Sequence, residues 1–138
     1  MRRFLLMLLV GPVVLGCGTD PFRMQDALGI WDLRQINGRE ISGTSPTGVW
    51  IRENGGSDST VVVIKSIRLE FAADSACAWT HDDGIQGAVT ENDCQYAISN
   101  RGNITLTMAG RTLDGTAAGA TMTLRDDATN QMEFRKGT

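Results

Sequence analysis

Residues 28–41, LGIWDLRQINGREI, constrain the fold more than any other stretch of the chain. From Gly29 to Ile36 the side chains alternate, with Trp31 and Leu33 on one face and Asp32 and Arg34 on the other. That is the period of a strand with one buried side. Asn37-Gly38 supplies the positive φ angles of a type I′ turn, so a hairpin returns through residues 39–41. A single hairpin is marginal in water, and the rest of the chain has to supply strands that cover its apolar face.

The remaining sequence reads as more pieces of the same kind. A loop at 42–48, holding Pro46, leads to a short strand at 49–52, and Asn54-Gly55-Gly56-Ser57-Asp58 is a turn. Residues 60–71 are the longest β-rich run. Ile67, Leu69 and Phe71 alternate with Ser66, Arg68 and Glu70, whereas Val61-Val62-Val63-Ile64 is apolar on both faces. Lys65 shares its parity with Ile67, which predicts a bulge near Lys65 and Ser66 that resets the phase. Cys77 and Trp79 share a face in 76–80, a polar loop with several acidic residues spans 81–93, and Cys94, Tyr96 and Ile98 alternate after it. Ile104, Leu106 and Met108, then Met122 and Leu124, then Met132 and Phe134 mark later strands, separated by turns at 99–103, 109–111 and 126–130. Sixteen glycines against three prolines suit so many tight turns. No stretch carries a persuasive helical period. The expectation is an all-β domain, a small antiparallel up-and-down β-barrel of seven to nine strands. A barrel is preferred to a sandwich because the amphipathic first and last strands can pair and remove the exposed edges. The Cys–Trp–Cys spacing of immunoglobulin-type sandwiches is also lacking.

The start of the chain has a different character. Met1-Arg2-Arg3 is basic, and residues 4–15 are almost purely apolar but too short to span a bilayer comfortably, as in a signal peptide. The run ends in Val14-Leu15-Gly16-Cys17, which resembles the lipobox of bacterial lipoproteins. The resemblance implies cleavage before Cys17, lipid on its sulfur, and an acyl chain such as palmitate on the new amino group. Residues 1–16 are then the signal peptide, 17–27 the lipidated cysteine and its tether, and 28–138 the barrel domain. Several acyl chains would anchor the protein stably, since each buried CH₂ contributes about 0.8 kcal/mol. Gly18 stands where an inner-membrane retention aspartate would follow Cys17, so the same resemblance implies the outer membrane of the bacterial cell envelope, facing the periplasm. Loss of Arg2 and Arg3 with the leader leaves 11 basic residues against 16 acidic ones, a formal balance of −5. An acidic surface argues against a nucleic-acid partner and against holding an anionic bilayer by charge.

With Cys17 assigned to lipid, Cys77 and Cys94 remain as an even pair in an exported domain, where disulfides persist. A disulfide between them is favoured. The alternatives are two buried free thiols or a metal pair, although the chain has no C-x-x-C and His81 is its only histidine.

The opening Gly29-Ile30-Trp31-Asp32-Leu33 with Ile36-Asn37-Gly38, the later Tyr96-Ala97-Ile98 and Leu106-Thr107, and the closing Phe134-Arg135-Lys136 together resemble small bacterial lipocalin-like lipoproteins. In that larger family the first-strand tryptophan packs across the closed barrel end, often against an arginine of the last strand. The resemblance therefore implies a barrel-closing pair of Trp31 and Arg135. It also implies a binding role, although the chain is shorter than typical lipocalins, which weighs against a deep cavity. Trp31, Trp50, Phe71, Trp79 and Met122 are the candidate lining of an apolar pocket, and they would serve equally well as plain core. The small residues at 115–120 leave room on one side of such a pocket.

Motifs for catalysis are missing: there is no Gly-x-Ser-x-Gly, no His-Glu-x-x-His and no phosphate-cradling glycine loop. His81-Asp82-Asp83-Gly84 offers a metal or acid–base site on paper, but a solvated turn predicts the same letters. Asp82, Asp83, Glu91 and Asp93 lack the spacing of an EF-hand. No metal and no cofactor is expected. The sequence thus points to a non-enzymatic, membrane-anchored envelope lipoprotein that binds a small apolar or amphipathic ligand in its barrel. The alternative is a barrel filled by its own side chains that presents its 42–48 and 81–93 loops to an envelope protein partner or, as an inhibitor, to an enzyme.

Overall fold

The computed structural model describes residues 22–137; the leader and Cys17 lie outside the described residues. One short helix, α1 (Met24–Ala27), precedes eleven strands. These are β1 (Gly29–Ile36), β2 (Arg39–Glu40), β3 (Thr47–Glu53), β4 (Asp58–Ile64), β5 (Ser66–Phe71), β6 (Ala76–Asp82), β7 (Ala88–Ile98), β8 (Asn103–Met108), β9 (Arg111–Ala118), β10 (Thr121–Arg125) and β11 (Gln131–Lys136). From β5 to β11 each strand pairs antiparallel with the next, and β1 pairs with both β5 and β11. The result is a closed, eight-stranded, antiparallel barrel, with β2 added at the end of β1. Its architecture is the one expected of a lipocalin-like barrel.

The period-2 pattern turns directly into an inside and an outside. Trp31, Leu33, Leu69, Phe71, Cys77, Trp79, Tyr96, Leu106, Leu113, Met122, Leu124 and Phe134 are buried, while the residues between them are half-buried or exposed. In β1 the register shifts between Leu33 and Gln35, which lets Ile36 point inward again. The amide of Ile41 donates to the carbonyl of Arg34 inside that bulge at 2.8 Å. Asn37 (φ 49°) and Gly38 (φ 80°) form the expected tight turn.

Three expectations need correction. Residues 60–71 are not one bulged strand: the chain breaks at Lys65, and β4 leaves the barrel to pair only with β3. Apolarity on both faces of 61–64 therefore marks a ribbon outside the wall rather than a buried strand within it. The small side chains of β9 do not leave room either. A Cβ on Gly115 would stand 1.8 Å from the carbonyl oxygen of Thr123, so the missing side chain is the space through which β10 approaches. The supposedly long 81–93 loop is mostly strand, with only residues 83–87 between β6 and β7.

Cys77 and Cys94 face each other at 4.9 Å between Cα atoms and form a disulfide. It ties β6 to β7 where their register shifts, between Cys77 and Trp79. Strand directions divide the barrel into two ends. The start of β1, the end of β11 and α1 lie at the proximal end, and the β3–β4 ribbon rises from the distal one.

Candidate functional site

The barrel interior is the first place to look for a site, and side chains meet across it. The rings of Trp79 on β6 and Phe134 on β11 pack edge-on at 6.0 Å between centroids, although β5 and β1 separate their strands around the wall. Phe71 and Tyr96 stack obliquely at 4.5 Å, and the Tyr96 hydroxyl donates to the Ala72 carbonyl. Burial raises the Tyr96 pKa, and the nearby Asp74 charge raises it further. Of the five residues read as pocket lining, Trp31, Phe71, Trp79 and Met122 all belong to this core.

Trp50 does not. Its side chain is 65% exposed on the outer face of β3, because the strand that carries it is not part of the barrel wall. Its place in a lumen lining is withdrawn.

Two buried tryptophans of the barrel each have a cation over the ring. At the proximal end the Trp31 indole N–H donates to the Ala27 carbonyl at 2.8 Å, and the Lys136 ammonium sits 5.8 Å from the ring centre. Lys136 also donates to the Asp26 carbonyl at 2.6 Å, fixing α1 across the opening. Arg135, named above as the closing residue, is exposed and lies opposite Asp32. The correction follows from parity: Phe134 points inward, so Lys136 does as well and Arg135 points out. Phe22 packs against the same core. Toward the distal end the Arg111 guanidinium lies 5.3 Å from the Trp79 ring centre and donates to Glu91 at 3.0 Å.

The distal end also holds a polar cluster with no counterpart in the sequence reading. Asn130 is 2% exposed, the one buried polar residue among those described. Its amide oxygen accepts from the Arg52 backbone N–H and from Asn37 Nδ2, each at 2.8 Å. Its amide nitrogen donates to the Arg52 carbonyl at 2.8 Å and to Asp126 at 2.9 Å. Asn37 Nδ2 also donates to the Trp50 carbonyl at 2.9 Å, and Asn37 Oδ1 accepts from the Gln131 amide at 3.0 Å. Two asparagine side chains thus bond the open edge of β3 as a neighbouring strand would. They latch the ribbon to the barrel while Val49, buried on its inner face, adds to the core.

The opposite face of the ribbon carries Trp50, Val61 and Val63, all exposed, with Val61 directly across from Trp50. An open groove of about 390 Å³ beside it is lined by polar groups, among them Gln35, Arg52, Arg125, Gln131 and Glu133.

The acidic turn takes part in ordinary structure. Asp82 pairs with Lys65 at 3.6 Å and accepts from the Gly84 amide at 2.7 Å. Asp83 accepts from the amides of Ile85 and Gln86, and those two bonds, Ile85's first, hold its pKa below the ordinary aspartate value. His81 lies in β6 opposite Val89. Among the described residues no group of His, Cys, Asp and Glu is placed to hold a metal, and no helix is long and apolar enough to cross a membrane.

Fold and site together define a closed eight-stranded barrel with a core of packed side chains, a helix over one end and a latched apolar ribbon at the other. No family model matches the chain, and no curated protein or solved structure matches it significantly.

Proposed function

We propose that the protein is a lipid-anchored envelope module whose barrel is a solid, non-enzymatic scaffold and whose distal ribbon contacts another protein. The observation that carries this reading is the Trp79–Phe134 contact across the lumen. An eight-stranded barrel is just wide enough either to be filled by side chains or to hold one small ligand. Contact between rings from well-separated strands favours the first state. The exposed row of Trp50, Val61 and Val63 then becomes an apolar surface available to a partner. The anchor rests on the basic, apolar and Cys17 sequence of the leader. The few residues from Cys17 to Phe22 reach at most about 18 Å. A lipid on Cys17 would therefore hold the α1-covered end close to the bilayer and turn the ribbon away from it.

Native mass spectrometry of protein purified gently from a bacterial host tests the scaffold. The expected result is an apo mass that does not shift when fatty acids are offered. A retained or added lipid would replace this reading with that of a carrier for a small apolar or amphipathic ligand. Fractionation tests the anchor separately: Cys17→Ala should release the protein from membranes, and continued membrane association would refute lipidation at that residue.

A further inference from the structure

We propose that two copies of this chain join edge to edge along β4, so that their two-stranded ribbons merge into one four-stranded antiparallel sheet. Within the described residues β4 pairs only with β3, and the latch fixes which of its backbone groups are free. Trp50 and Arg52 turn their carbonyls, and Arg52 its N–H, toward Asn37 and Asn130, away from β4. Backbone bonding alternates along an antiparallel pair. The residues of β3 that bond β4 are therefore Val49, Ile51 and Glu53, opposite Val62, Thr60 and Asp58. It follows that Ser59, Val61 and Val63 direct their N–H and C=O groups out of the free edge.

These three residues are centred on Val61, which makes the edge complementary to itself. A twofold axis beside Val61 sets it against the partner subunit's Val61 and sets Ser59 against the partner subunit's Val63. In that register each outward N–H meets an outward carbonyl. No charged side chain opposes another, since Asp58 falls opposite the partner subunit's Ile64. The devices that usually protect an edge are missing, for β4 contains no proline, no lysine and no bulge. Side chains add to the fit: Val61 and Val63, both exposed, project on the Trp50 face and would continue it across the seam. The occupant is a second copy rather than an open series because the other edge of the ribbon is already bonded by the two asparagines. Pairing along β4 uses the ribbon's other edge among the described residues and stops at two. The dimer does not depend on the lipid anchor. It deepens the proposed function only in doubling the apolar face offered to a different partner.

Sedimentation of the intact protein in mild detergent over a range of concentrations tests the proposal, with Val61→Pro as the informative variant. Proline removes the outward N–H of Val61 and no bond to β3, a position that an edge strand tolerates. The wild-type chain should dimerise reversibly. Val61→Pro should weaken that dimer at least about tenfold, with a circular dichroism spectrum unchanged. A wild-type chain that stays monomeric throughout, or a Val61→Pro dimer of undiminished strength, would overturn the proposal. Should Val61→Pro alter the spectrum, Val61→Lys with a Thr107→Lys control gives the same reading. Trp50→Ser separates this interface from the proposed partner contact: it leaves the backbone edge intact, so the dimer should persist while heterologous binding falls.

Discussion

Asn130 holds more of the molecule together than its size suggests, because its four side-chain bonds join the ribbon strand β3, the β1–β2 turn and its own turn before β11. Truncation strands the Arg52 amide and carbonyl near the core, and leaving a buried polar group unsatisfied costs about 1–3 kcal/mol. Asn130→Ala should lower the thermal midpoint and accelerate hydrogen exchange at Arg52, while the amides of β8 and β9 stay protected. Uniform loss of protection over the whole barrel would show that the latch is not local. Tyr96 makes a second prediction at this scale. Its pKa is raised by burial and by Asp74, so its contribution to stability is complete below the unfolded tyrosine value and declines as pH rises through the folded one. Tyr96→Phe should lose the part of the alkaline destabilisation that tracks ultraviolet ionisation of the phenol. An unchanged alkaline limb would assign that loss to other groups.

Among the elements, those built from strict alternation were legible in the sequence, and those that depend on contacts between distant residues were not. The first hairpin, the strands β8, β10 and β11 and the Cys77–Cys94 pairing follow from local parity, turn residues and cysteine arithmetic, whereas β9, poor in bulky side chains, carries no such pattern. The ribbon was missed because a run apolar on both faces reads the same whether it is buried in a wall or paired in the open. Only the break at Lys65 distinguishes the two, and Lys65 could equally have marked a bulge. Asn37 and Asn130 were read as turn residues, which their neighbours justify, and nothing local reveals that their amides meet across 93 positions of sequence. The parity of Phe134 alone assigns the inward place to Lys136 and the outward one to Arg135. The disulfide is a testable element in its own right. Its cysteines are 17 positions apart, so replacing both by alanine should cost about 3 kcal/mol in the chain-entropy model, read as a denaturation midpoint below that of the oxidised parent. An unaltered midpoint would mean that the unfolded β6–β7 segment is already compact.

For the whole molecule, the filled barrel predicts that a binding cavity can be made by subtraction. Trp79→Ala removes a ring that reaches Phe134 across the lumen, and such a truncation costs about 3–5 kcal/mol. A dry apolar void of that kind can take up benzene-sized molecules, so the variant should gain midpoint in their presence while the parent does not. Equal stabilisation of both proteins would point to a space already present. The pairing of β1 with β11 has a consequence in time as well as in space. Trp31 meets Lys136 across that seam, so the first strand cannot complete its bonding until β11 has been made. Until then the chain carries an unclosed sheet with two free edges, and a chain cut short before β11 stays that way permanently. Slow, late closure of this sort makes the arrival of β11 the point at which the chain either closes its sheet or stays open to aggregation.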